Sequence, residues 1–147
     1  MLWGMNNMKD ILCYLNENKK FEGIIGNTNV KIKLYEDIIV VTCNSYIHTF
    51  NICQVHDANY AVQNILEKYK TEVRFCDECG KPFGEGFMME DGCWYVCDDC
   101  FESAMDKEYG EGKWRVTDEE GSYGGFYEHL NDGDEWEDTG IFWTEWN

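Results

Sequence analysis

The chain has 147 residues, and its 12 lysines and arginines against 29 aspartates and glutamates give a formal net charge of −17. This acidity excludes ordinary nucleic-acid binding, because affinity for phosphates comes mainly from lysine and arginine, and it disfavours anionic membranes. No apolar run approaches the roughly 20 residues that cross a bilayer, and the N-terminus lacks the pattern of a signal peptide. The sequence therefore predicts a cytoplasmic protein with a core of moderate size.

The charge is unevenly distributed along the chain. Residues 1–72 hold seven basic and eight acidic residues, whereas residues 73–147 hold five basic and 21 acidic residues. The net charge is thus −1 in the first half and −16 in the second. We predict two domains, 1–72 and 73–147, with the second beginning close to the first cysteine motif.

The first half has the periodicities of a small α+β domain. Apolar residues at helical spacing predict a short helix from Met8 to Leu15. Alternating or β-branched residues then predict four strands, at residues 21–25, 30–35, 38–43 and 46–52. Asp57 can cap a second helix whose apolar face extends to Tyr69. The predicted order is α-β-β-β-β-α, a small antiparallel sheet with flanking helices, and this order alone does not indicate a function.

The strongest motif is formed by two CxxC pairs. Cys76 and Cys79 are followed, after 17 intervening residues, by Cys97 and Cys100. This spacing is typical of sites in which four thiolates hold one zinc ion at about 2.3 Å. Gly80 permits the positive φ that such a cysteine turn often needs. Because four thiolates leave no coordination position for water, we predict that the zinc is structural.

The residues around the two pairs predict the form of the finger. Residues 86–90 and 93–96 flank Asp91-Gly92, a dipeptide favoured in type I′ hairpins. Residues 101–109 read as a helix, so Cys100 is expected at a helix N-terminus, where the dipole favours thiolates. The predicted order is a CxxC turn, a hairpin, a second CxxC turn and a helix. This order resembles that of a treble-clef or zinc-ribbon finger.

Other cysteine chemistries fit the sequence less well. Thioredoxin-type activity uses one CxxC in a βαβ unit, and a zinc deaminase needs H-x-E and P-C-x-x-C motifs that the sequence lacks. Rubredoxin-like iron and two unrelated dithiols are the alternatives to zinc. Cys93 is expected to pack in the core rather than to bind the ion. Four further candidates are assigned packing or surface roles, since Cys43 and His48 would point to opposite faces of one strand: Cys43, His48, Cys53 and His56.

Motifs of catalysis are also missing from the sequence. It contains no P-loop and no nucleophile elbow, and carboxylates are so abundant that no single pair identifies an acid and a base. We therefore predict a protein without catalytic residues or enzymatic activity.

The last third of the chain combines acidity with aromatic residues. Residues 106–147 hold 13 acidic, three basic and nine aromatic residues. Disordered acidic segments are usually poor in aromatics, so we predict a folded, β-rich acidic segment with strands at 113–117, 126–130 and 141–146. The best cluster for contacting a partner contains five acids and one tryptophan: Asp132, Asp134, Glu135, Trp136, Glu137 and Asp138.

Four stretches carry a resemblance to known proteins: Cys76-Asp-Glu-Cys79-Gly-Lys-Pro, Gly86-Phe-Met-Met, Trp94-Tyr-Val-Cys97 and Trp143-Thr-Glu-Trp146. They resemble small zinc-binding proteins of phages and mobile elements, over about residues 74–147. The whole chain is similar to the zinc-bearing anti-CRISPR proteins that act on type II-A Cas9. The resemblance implies a stoichiometric inhibitor that binds a Cas9-type nuclease in the bacterial host cell and blocks loading of target DNA. The competing hypothesis is a zinc-ribbon adaptor or transcriptional regulator.

Overall fold

The computed structural model describes residues 9–117 and 126–147. Within these residues the architecture is α+β, as predicted, with three α-helices, a four-stranded antiparallel sheet and smaller sheets. The predicted helix start at Met8 lies outside the described residues. No helix in the described part of the chain is long and apolar enough to cross a membrane.

The first half follows the predicted order of elements. Helix α1 (Ile11–Asn18) begins after Asp10, whose side chain accepts a hydrogen bond from the backbone of Cys13. Asp57 caps helix α2 (Ala58–Glu67), as predicted. Between the helices lie four strands and a single 3-10 turn, namely β1 (Lys20–Ile25), β2 (Thr28–Tyr35), β3 (Ile38–Cys43), β4 (Tyr46–Asn51) and the turn Ile52–Gln54. Each strand pairs antiparallel with the next, in the order β1-β2-β3-β4.

One face of this sheet is covered by α1 and α2. Alternate residues of the strands point toward the helices, and Ile32, Ile39 and Val41 are fully buried there with Ile11 and Val62 of the helices. Each such side chain stabilises the fold by about 1.5–3 kcal/mol. The opposite face of the sheet has no element over it among the described residues.

The second half contains short strands around one helix. Their bounds are β5 (Arg74–Phe75), β6 (Pro82–Phe83), β7 (Glu85–Met89), β8 (Tyr95–Val96), α3 (Phe101–Tyr109), β9 (Trp114–Thr117), β10 (Phe126–Leu130), β11 (Trp136–Asp138) and β12 (Ile141–Glu145). Strand β5 pairs with β6, and the two larger sheets have the orders β11-β10-β9 and β12-β7-β8. Because β12 pairs with β7, the acidic segment is joined directly to the β7-β8 hairpin, which precedes the second cysteine pair.

The hairpin turn between β7 and β8 differs from the predicted type I′ turn. A type I′ turn needs positive φ at both central residues, but of Asp91 and Gly92 only Gly92 is left-handed, with φ 76°. The backbone of Gly92 donates to Met89 at 2.8 Å, and the Asp91 carboxylate accepts from Cys93 at 3.1 Å. The aspartate side chain therefore supports a turn with one left-handed glycine.

Two hydrophobic clusters meet near the middle of the chain. The first extends from Ile11 to Phe75, and the second begins at Cys76 and includes the fully buried Trp94. The clusters are tied together by polar contacts. The side-chain amide of Asn147 accepts from the backbone N–H of Glu72 and donates to its carbonyl, both at 2.9 Å.

Candidate metal centre

The first cysteine pair lies in the turn that joins β5 to β6. Cys76 donates its backbone N–H to the carbonyl of Lys81 at 2.9 Å, and Gly80 donates to the carbonyl of Cys76 at 2.7 Å. Gly80 has a φ of 81°, as its position predicted. The turn therefore directs the two sulfur atoms to one side.

The second pair follows β8 and leads into α3. Cys100 is the N-cap residue of this helix, as predicted, and its N–H donates to the carbonyl of Cys97 at 3.2 Å. Free N–H groups and the helix dipole at this end favour negatively charged sulfur.

The four predicted ligands converge on one point. The sulfur atoms of Cys76, Cys79, Cys97 and Cys100 all lie within 4.8 Å of one another, and those of Cys79 and Cys97 are 3.9 Å apart. A tetrahedron with bonds of about 2.3 Å has edges of about 3.8 Å. The four sulfurs are thus spaced to share a single metal ion, with Cys76 and Cys97 buried and the other two half-buried. The donor set fits a structural metal.

The four thiols of the cluster differ in the direction of their pKa shifts. Hydrogen bonds from Cys100 lower the pKa of the Cys76, Cys79 and Cys97 thiols. Contacts with the same three sulfurs raise the pKa of Cys100. Because a cysteine binds a metal ion as its thiolate, metal binding at this cluster would release protons.

Two ion pairs involve charged residues close in sequence to the cysteines, and the sequence did not predict these pairs. Lys81 lies 2.9 Å from Asp99, and Lys107 lies 3.3 Å from Glu78. Burial raises the pKa of Asp77 to about 6, although the backbone of Tyr95 donates to its carboxylate and lowers it. Of the two lysines, Lys81 interacts electrostatically with Cys97, so its positive charge offsets part of the repulsion between thiolates.

The other cysteines and histidines singled out in the sequence do not join a metal site in the described residues. The expectation that Cys93 packs in the core is wrong, because it is exposed, whereas Cys43 is buried in the first cluster. The expectation that Cys43 and His48 face opposite sides is wrong, because a turn separates them into two strands and His48 stands opposite Val41. His48 nevertheless bonds to the hydroxyl of Tyr69 rather than to a metal-binding partner.

The acidic cluster lies in the turn that follows β10 and in β11. The amide oxygen of Asn131 shapes this turn by accepting from the backbones of Gly133 and Glu135, at 2.8 and 2.9 Å. Within the cluster Trp136 is half-buried, and the five acids are exposed: Asp132, Asp134, Glu135, Glu137 and Asp138. The carboxylates are therefore attached to an ordered backbone.

Strand alternation divides this cluster between two faces of the sheet. Trp136 shares the outward face with Arg115, whose guanidinium lies 4.0 Å from the centre of the indole ring and 2.9 Å from Glu128. Glu137 points to the other face, where it lies 4.0 Å from His129. The six residues thus do not form a single surface, and Arg115 is a member of the outward face that the sequence cluster did not include.

Comparisons of the chain with protein-family models, with curated proteins and with solved structures found no match. The cysteine cluster and the acidic sheet therefore have to be interpreted from their own geometry and chemistry.

Proposed function

We propose that this chain is a binding protein without enzymatic activity, in which one zinc ion stabilises an acidic half that attaches to a basic surface of another protein. The observation that carries the proposal is the sheet β9-β10-β11. On this sheet an aromatic residue and ordered carboxylates are presented, and its Tyr127 belongs to the same hydrophobic cluster as Cys76 and Cys97. Aromatic residues dominate interface energetics, while complementary charge increases association rates.

Zinc is the metal that best matches the cluster. It prefers tetrahedral sites of four cysteines in structural roles, and such a site contributes directly to folding. Elemental analysis of protein purified under reducing conditions should find one zinc ion per chain. A coloured protein containing iron instead would overturn the assignment of zinc while preserving the site.

We propose a Cas9-type nuclease as the partner. Support comes from the resemblance of the finger and tail motifs and from the charge of −16 carried by residues 73–147. These nucleases hold the guide–target heteroduplex in a positively charged channel. An acidic protein in or beside this channel raises the electrostatic barrier to incoming phosphates, so that target DNA is not loaded.

The proposal is tested by measuring binding and cleavage with a guide-loaded type II-A Cas9. The variant Asp132→Asn/Asp134→Asn/Glu135→Gln removes three exposed charges from the turn before β11 and should associate more slowly. A matched control, Glu17→Gln/Asp37→Asn/Glu67→Gln, removes three exposed charges from the first half. Equal loss in both variants would show that net charge, rather than this surface, determines binding.

Free DNA provides the second arm of this experiment. The proposal expects no mobility shift of DNA by the protein alone, but a complex with the nuclease. A shift of DNA without any nuclease binding would favour the zinc-ribbon regulator and overturn the proposed function.

A further inference from the structure

The edge of the four-stranded sheet at β4 lacks the features that normally protect an edge strand. Lysines, prolines and inward charges usually block edge-to-edge pairing. Strand β1, at the other edge, has Lys20, Glu22 and Gly23, whereas β4 has the sequence YIHTFN, without a charged residue or a proline. The β1 edge of the sheet thus has residues that hinder edge-to-edge pairing, and the β4 edge does not.

The backbone of β4 presents unpaired groups along this edge. Strands β3 and β4 are joined by a two-residue turn between Cys43 and Tyr46. Beyond the other end of this pair, the backbone N–H of Ile52 donates to the carbonyl of Asp37 at 2.8 Å. Hydrogen-bonded and non-hydrogen-bonded pairs alternate in an antiparallel ladder. The even-numbered residues of β4 therefore bond to β3. The backbone groups of Ile47, Thr49 and Asn51 point away from the sheet, and no backbone partner is found for them among residues 9–117 and 126–147.

Apolar side chains are exposed on both faces of the same edge. Tyr46, on the helix-covered face, is 65% exposed, and Ile47, on the open face, is 69% exposed. On the open face of the neighbouring strand β3, Ile38 and Val40 are only half-buried. A strand with apolar residues on both faces is typical of the inside of a sheet rather than of its edge.

From these features we propose that β4 pairs with the β4 strand of a second copy of this chain. Two antiparallel strands related by a two-fold axis present the same groups to each other, so the edge is complementary to itself. The pairing would join two four-stranded sheets into one of eight strands. It is independent of the proposed function.

Charge favours a second copy at this edge over the alternatives. The strand has no charged residue with which to select an acidic or basic peptide. Residues 1–72 have a net charge of only −1, whereas residues 73–147 carry −16. Pairing through β4 therefore brings together the nearly neutral halves, with less repulsion between like charges than pairing through residues 73–147.

Sedimentation velocity of the intact, metal-loaded protein over a wide range of concentrations tests this proposal. The wild type should reach twice its mass of 17.3 kDa. Ile47→Lys places a charge on the edge and should remain at the single-chain mass. Ile24→Lys is the matched control, because Ile24 is 71% exposed on β1 and undergoes the same substitution at the other edge; it should still dimerise. Thr49→Pro removes an N–H that β3 does not use, and it should also give single chains.

Hydrogen exchange supplies a residue-level readout. The amides of Ile47 and Thr49 should become protected as the protein concentration rises, while those of Ile24 should not change. A single-chain mass at every concentration would overturn the proposal, even if β4 were found to bind a strand from another protein. A dimer that survives both Ile47→Lys and Thr49→Pro would also overturn it.

Discussion

At the scale of single residues, Gly80 connects the metal centre to the first half of the molecule. It has a φ of 81°, and a Cβ atom at this position would lie only 1.9 Å from the carbonyl oxygen of Asp10. Asp10 in turn caps α1. A glycine is therefore required here for two reasons, a left-handed backbone and a close approach to the helix start.

We predict that Gly80→Ala destabilises the protein by clearly more than the 1–2 kcal/mol that left-handed backbone alone costs. Gly112→Ala is the control, because Gly112 also has positive φ, 78°, but a Cβ there would meet nothing within 4 Å. Urea denaturation of both variants measures the difference. Equal losses of stability would show that Asp10 moves away at little cost.

The cysteines allow a second test at this scale. Cys97→Ser should lose stoichiometric metal and strongly destabilise the second half, because structural zinc contributes about 10–16 kcal/mol of binding free energy in small metal-dependent domains. Cys93→Ser should keep both the metal and the thermal midpoint, since Cys93 is exposed and outside the cluster. Elemental analysis with thermal denaturation checks both. Retention of the metal by Cys97→Ser would contradict the four-cysteine site.

At the scale of elements, the sheet β9-β10-β11 holds its aromatic contact residue and its exposed acids at different positions. Trp136 lies under the guanidinium of Arg115 on the outward face, while the acids of the turn remain in solvent. The tryptophan is thus held in one orientation by a cation–π contact, worth about 0.5–1 kcal/mol at an exposed site.

This arrangement predicts different kinetic effects for the two kinds of residue. Trp136→Ala should chiefly accelerate dissociation from the nuclease, because buried aromatic anchors control the lifetime of complexes. The charge variant of the turn should chiefly slow association. Surface plasmon resonance separates the two rates. An unchanged dissociation rate for Trp136→Ala would place the contact surface elsewhere.

The elements that the sequence predicted correctly are those with strong local signals. The strands at 21–52 showed alternating or β-branched residues, and α2 had both a cap and an apolar face, so local sequence signals were sufficient to predict them. Strand β11 was read only as an acidic cluster, because three residues are too short for a periodic pattern and their pairing with β10 is decided by tertiary structure. The turn at Asp91 depends on a side-chain hydrogen bond that composition does not reveal.

The metal centre was more predictable than the acidic surface for a related reason. Cysteine spacing encodes the ligand geometry within the chain, and the four predicted sulfurs do converge. The roles of Arg115 and of the two faces of β11 depend on strand register. That register is established only when β9, β10 and β11 are aligned.

At the scale of the whole molecule, the charge of −17 should govern the proposed inhibition of a Cas9-type nuclease. We predict that inhibition saturates near one molecule of this protein per nuclease. We also predict that inhibition weakens as ionic strength rises, because exposed charges are screened beyond about 8 Å at physiological salt. Inhibition should also be weaker when DNA is added first. Cleavage assays with varied salt and order of addition check this, and full inhibition of a preformed nuclease–DNA complex would move the blocked step to cleavage.

The contact between Asn147 and Glu72 has a consequence for proteolysis. The segment that joins the two clusters is held at successive residues, by a hydrogen bond of 2.7 Å between Thr71 and Thr28, by the Asn147 amide and by burial of Val73. A protease needs an extended, accessible segment, so cleavage between the halves requires prior local unfolding. Limited digestion of the metal-loaded chain should therefore leave this junction intact, and Asn147→Ala should make it a site of early cleavage.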